Sequence, residues 1–176
     1  MSALLKFAQW LQFTTIPTEL RGSWYVYPVV LSLHLVFIAI FGGMIFLTNL
    51  RLLGLGLRRY SIGDVINQLR WPKRIGFLLV FTCGALLASS KAEEYYYNAF
   101  FWAKMSLLLL VFVHGLVFRS SLYRNTEALD KLPSTPGVVK LAAALSLLLW
   151  TGVAICGRGI GYIEPPVDKL HAALFH

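Results

Sequence analysis

Five side chains in or beside the apolar stretches of this 176-residue chain are both polar and chemically capable: His34, Cys83, Lys104, His114 and Arg158. Ionisable groups are expensive in a bilayer and usually face protein or water there, so each is a functional candidate by default. The imidazoles of His34 and His114 could ligate haem iron or another metal, and the Met105 thioether is the other common axial donor. Lys104 and Arg158 are cations of the kind that hold a haem propionate or a quinone oxygen. Each also has a plainer reading. A buried histidine can simply bond a neighbouring helix, a methionine can pack, and long cations can snorkel to the interface.

His34 has the most suggestive setting. It follows Tyr25 by nine positions, which is roughly 13 Å of helix. Its helical face continues through Phe37, Ile38, Phe41 and Ile45, beside Gly42 and Gly43. Small residues there allow another backbone, or a flat cofactor, to come close. His114 follows Ala99 by fifteen positions, roughly 22 Å. The two imidazoles therefore sit about 9 Å apart in depth, whereas ligating one iron together requires nearly equal depth. Met105 is nearer to His34 in depth. Lys104 lies about 7 Å inside its span, close enough to snorkel towards Glu93 or Glu94.

Arg158 stands in Gly157-Arg158-Gly159-Ile160-Gly161-Tyr162, which no strand precedes, so the run is no dinucleotide fingerprint. Cys83 and Cys156 lie in apolar runs, form no C-x-x-C and have no zinc spacing, so they read as small hydrophobes. The eight carboxylates all fall in expected loops or tails, which leaves no buried acid pair. No nucleophile elbow, P-loop or H-E-x-x-H occurs. His171 and His176 belong to a solvated tail, where a surface metal is conceivable.

Composition dictates the elements that carry these groups. Fifty-seven per cent of residues are hydrophobic and 14% are charged, against roughly a quarter charged in soluble domains, and mean hydropathy is +0.67. The chain cannot cover itself with polar surface, so it is an integral membrane protein. Coiled coil, disulfide scaffold and nucleic-acid-binding domain are excluded despite the net charge of +8. A bilayer core of about 30 Å needs about 20 helical residues, and four stretches suit it: Tyr25 to Asn49, Ile75 to Ser90, Ala99 to Phe118, and Val138 to Gly157. Pro72 is placed in the first turn of the second helix, where its missing N–H costs nothing.

The loops after the first and third spans carry ten basic residues against three acidic ones, while the opposite side carries five of each. Basic loops stay in the cytoplasm, so both termini are expected outside, on the periplasmic side of a bacterial inner membrane. Trp24, Tyr25 and Tyr27, with Tyr95 to Tyr97 and Trp102, mark the outer interface. Ser2 to Phe13 is expected as an amphipathic helix lying in that interface, and Val167 to Phe175, after Pro165 and Pro166, reads as a second surface piece. The expected organisation is an interfacial segment 1–24, an all-α four-helix transmembrane bundle 25–157, and an outer tail 158–176.

Several stretches taken together carry a resemblance: Leu33-His34-Leu35 with Gly42-Gly43, then Leu50-Arg51-Leu52-Leu53-Gly54-Leu55, Asn98-Ala99-Phe100 with Lys104, and Ser146 to Trp150 leading to Gly157-Arg158. Across residues 28 to 162 the chain resembles a largely uncharacterised family of small bacterial four-helix inner-membrane proteins. Their architecture is similar to that of two-haem b-type cytochromes and copper-resistance membrane proteins, which carry histidines on such helices. The resemblance implies a b-type cytochrome-like protein or the membrane subunit of an electron-transfer complex. His34, His114, Met105, Lys104 and Arg158 would then surround haem b. This chain departs from the two-haem pattern because its second and fourth spans contain no histidine, so one haem or none is expected. The partners implied are other membrane subunits and a quinone. The rival reading is a non-catalytic accessory subunit; a permease ranks last, for want of broken helices and paired charges.

Overall fold

The computed structural model describes residues 3–118, 126–132 and 134–163, apart from the side chains at 127 and 128. The expected tail with His171 and His176 lies outside the described residues. Among the described residues every regular element is helical: α1 (Ala3–Gln12), α2 (Thr15–Gly22), α3 (Val26–Leu53), α4 (Ile62–Ser90), α5 (Ala92–Tyr96), α6 (Ala99–Val117), α7 (Thr126–Asp130) and α8 (Gly137–Ile160). The helices α3, α4, α6 and α8 are long and apolar enough to cross a membrane. This is a four-span, multi-pass membrane protein.

The spans pack in the order α4, α3, α8, α6, and among the described residues α6 and α4 share no extended seam. Consistent with its place at the end of the row, α6 buries none of its residues. Packing is tightest at the end of the bundle that carries the basic loops. There Leu52, Ile62, Ile66, Leu129, Val139, Ala142 and Ala143 form one buried cluster contributed by α3, α4, α7 and α8. Water drives such burial, whereas within lipid apolar side chains gain little by leaving the acyl chains. That contrast explains the many exposed leucines, valines and phenylalanines along the spans.

The second span begins at Ile62, not near Ile75, because its start is capped twice. Ser61 Oγ accepts a hydrogen bond from Asp64 N at 2.9 Å. The Asp130 carboxylate accepts from Ile62 N at 2.6 Å and Gly63 N at 2.9 Å. Four otherwise orphaned donors open every helix, and three are satisfied here. Ile62, Val65 and Ile66 then bury one face. Pro72 consequently sits inside α4 rather than in its first turn, where it leaves the Gln68 carbonyl without its usual helical donor.

A helix stands over Ala3–Gln12, within the segment Ser2 to Phe13 where one was expected, and two more short helices share that end. Their packing takes carboxylates out of the loops assigned from sequence. Glu93 is only 7% exposed; it accepts from Gln9 Nε2 at 2.8 Å, and its backbone N donates to Gln12 Oε1 at 3.0 Å. Arg21 on α2 donates to the Ser90 carbonyl at 3.2 Å. The first helices are thereby tied to α4 and α5.

Candidate functional site

Polar side chains from α3, α6 and α8 gather beside Gly84 and Val80 of α4 in the half of the bundle nearest α1. His34 leaves α3 towards α4, and the sequence of α4 makes room for it. A Cβ added at Gly84 would stand 3.1 Å from His34 Cε1, so the ring occupies the notch that glycine leaves. The Val80 carbonyl, one turn before Gly84, also interacts with the ring. His34 Nδ1 is buried and has no hydrogen-bond partner. A buried nitrogen left unpaired costs about 1–3 kcal/mol and asks for an explanation.

Lys104 comes from α6 and lies within electrostatic reach of His34 and of Cys156. Its Nζ rests 3.6 Å from the position a Cβ would take at Gly157 on α8. The lysine therefore turns into the α6–α8 seam and does not snorkel to Glu93 or Glu94. Glu94 instead pairs with Lys91 at 3.1 Å, and Glu93 is engaged by α1 as described. The absence of a side chain at Gly157 leaves the space in which the ammonium can stay. His34, Gly84, Lys104 and Cys156 are all within three turns of the same bundle end.

The other expected ligands are placed elsewhere. His114 faces α8 in the opposite half, with Nε2 2.9 Å from the Ala142 carbonyl and its ring 4.9 Å from that of Phe118. A carbonyl can only accept, so Nε2 carries the hydrogen and is not free for iron. Met105 is half-buried, about 100° around α6 from Lys104. Arg158 lies over the Tyr162 ring at 4.9 Å and donates to its hydroxyl at 3.1 Å, at the bundle end. Gly42 and Gly43 have nothing within 4 Å of an added Cβ, so the pair opens onto space instead of receiving a neighbour. Close helix approach occurs at Gly76, against Phe41 and Met44, and at Gly152, against Leu107.

Haem fits these side chains poorly. The two imidazoles lie in different seams and face different helices. The α4 side of His34 has less than a methyl group of free room. For a bare metal ion, no group of three or more ligating side chains forms among the described residues, a requirement that haem does not share. What the His34 level offers is smaller: one unpaired ring nitrogen and one ammonium in apolar surroundings.

Sequence reasoning missed three contributors. Asn98 caps α6 by accepting from Phe100 N at 2.9 Å, and its amide donates to the Ile163 carbonyl at 2.8 Å, which ties α6 to the end of α8. Tyr95 on α5 is pushed up to about 12 from an ordinary 10.0, chiefly by burial, with Tyr27 and Glu94 adding to it. Lys73, one of the basic residues counted with the loop after the first span, is instead a half-buried residue of α4.

Neither a curated protein nor a solved structure matches the chain. A family of unknown function, DUF6644, matches residues 13–163, from just after α1 through the last described residue, and so takes in all four spans and both candidate histidines. On that match, which covers most of its length, the chain belongs to the DUF6644 family.

Proposed function

We propose that this protein is the membrane subunit of an electron-transfer assembly and that it engages a lipid-soluble quinone or quinol through His34. The observation that carries this reading is the His34 Nδ1, buried on a spanning helix and unpaired. A nitrogen that faces the bundle interior and lacks a donor suits a hydroxyl brought to it. A quinol hydroxyl would donate to Nδ1, and the Lys104 ammonium would donate to a quinone oxygen. Together the two groups could hold or pass a proton at the membrane depth where such carriers dissolve.

Haem b on His34, the form suggested by the resemblance, is the less favoured version for the steric reasons given. A second reading, an accessory subunit without chemistry of its own, draws support from the unburied α6 and the unclosed row of spans. One experiment separates the three. The purified protein is examined for absorbance with and without reductant, then titrated with a short-chain quinone while tryptophan fluorescence is followed. Saturable quenching that His34→Ala removes would support the quinone reading. A sharp Soret band lost in His34→Ala would establish haem in its place. A folded protein with neither response would leave the accessory reading.

A further inference from the structure

A cavity of about 210 Å³ lies in the other half of the bundle, reaching from Phe41 and Trp150 near mid-span to Lys73, His114, Asn49 and Ser146 near the basic loops. All four spans contribute to its wall, α3 and α6 most and α4 through Lys73. Its chemistry is sharply divided. The deeper end is aromatic, with Phe41 edge-on to Trp150 at 5.3 Å. The shallower end is polar and carries a lysine.

The hydrogen bonds determine what that polar end can still do. Asn49 Nδ2 donates to the Ile45 carbonyl at 3.0 Å and to Ser146 Oγ at 3.2 Å. That uses both amide hydrogens and leaves Oδ1 as an acceptor. Ser146 keeps its own hydrogen to donate. Lys73 offers a cation, and no ion pair to it is formed among the described residues. The described carboxylates are committed elsewhere or exposed: Asp130 to the start of α4, Glu93 to α1, Glu94 to Lys91, Asp64 on the outside of the first turn of α4, and Glu19 on the exposed side of α2. A half-buried ammonium beside acyl chains and without a counter-charge is costly.

From this we infer that the cavity is a site for an anionic phospholipid, with the phosphate on Lys73 and Ser146 and an acyl chain in the open seam between α4 and α6. Charge complementarity supplies the phosphate: basic pockets between spans are the usual seats of acidic headgroups. The free acceptor at Asn49 suits a headgroup that also bears hydroxyls, as glycerol does. The aromatic end accepts the first methylenes of the chain. The volume is below the roughly 300 Å³ at which pockets take a drug-sized ligand whole, so the tail must leave through the gap. The bound lipid would complete the row that the protein leaves open. This inference does not depend on the quinone reading, since it concerns the other half of the bundle and different residues.

The test uses the full chain, stripped of lipid in detergent, with thermal unfolding followed on addition of phosphatidylglycerol, phosphatidylcholine or inorganic phosphate. Phosphatidylglycerol is expected to raise the midpoint of the wild type by several degrees, and native mass spectrometry should show it retained. Lys73→Met should lose both effects, and Lys73→Arg should keep them. Should Lys73→Met fail to fold, Ser146→Leu, which fills the cavity without touching the charge, serves in its place and should also abolish retention. Equal stabilisation by phosphatidylcholine, or an unchanged response in Lys73→Met, would overturn the site. Stabilisation by inorganic phosphate alone would assign it to a free anion and overturn the lipid.

Discussion

The His34 imidazole fills the notch that Gly84 leaves in α4, with 3.1 Å between Cε1 and the place where a methyl group would begin. A histidine on one span is thus received by a glycine on the next, and either partner can be changed alone. Gly84→Ala should force the ring aside by a few tenths of an ångström at a cost of about 1–3 kcal/mol, as overpacking usually does. In a His34→Ala background the same change should be nearly free. A double-mutant cycle on thermal unfolding reads the coupling directly, and additive effects would separate the two residues.

The Asp130 carboxylate should prove worth more than its exposed position suggests. It accepts two backbone donors at the start of α4, and losing such a cap costs about 0.5–2 kcal/mol. Asp130→Ala should lower the midpoint accordingly. Gly63→Ala should do the same by another route, since its new Cβ would lie 2.7 Å from Asp130 Oδ2. Because both changes break one interaction, the double variant should fall short of their sum.

Much of this architecture is legible in the sequence, for physical reasons that also mark where legibility stops. Hydropathy over some twenty residues locates α3, α6 and α8 almost to their ends because lipid imposes that length. It misses the first three turns of α4, which are amphipathic and gain their burial from α7 and α8. The start was nevertheless signalled by Ser61 three residues ahead of Asp64. His34 could be named as a candidate from its type and depth. Its partner Gly84 could not, because the register between two helices is decided by packing, although Gly76 and Gly84, eight apart, mark one small-residue face. Lys73 was passed over because a lysine near an expected loop is ordinarily just solvated.

Lys104→Met should leave the fold intact, since methionine keeps an unbranched stem in the space beside Gly157 and removes a charge from an apolar seam. Midpoint temperature should hold or rise slightly. Quinone affinity should fall several-fold if the ammonium donates to a carrier oxygen, and quenching titrations on the two proteins compare it.

Alkaline pH should ionise the half-buried Tyr95 late. Its hydroxyl titrates near 12 in the folded chain against an ordinary 10.0, so between those values the unfolded state releases the proton first. Its contribution to stability is flat below pH 10 and declines as pH rises from about 10 to 12. Tyr95→Phe should flatten that decline. Tyrosinate absorbance should show one late-titrating group that the variant lacks.

The excess of basic residues after the first and third spans predicts which side each loop occupies. Reporters fused between Arg58 and Arg70 should report the cytoplasm, and one fused ahead of α1 should report the far side. The reverse result would invert the bundle and place the Lys73 cavity in the opposite leaflet.

The order in which the spans pack has a consequence for how the chain is made. The neighbours α3 and α4 are joined by a short turn, and α6 and α8 are likewise consecutive spans. Each pair can close as a hairpin while it leaves the ribosome, before the other exists. The protein is then two membrane hairpins meeting along the α3–α8 seam, which the α4–α7 contact through Asp130 extends at the basic-loop end. Cut between Lys91 and Asn98 and co-expressed as halves, it should reassemble in the bilayer by that seam.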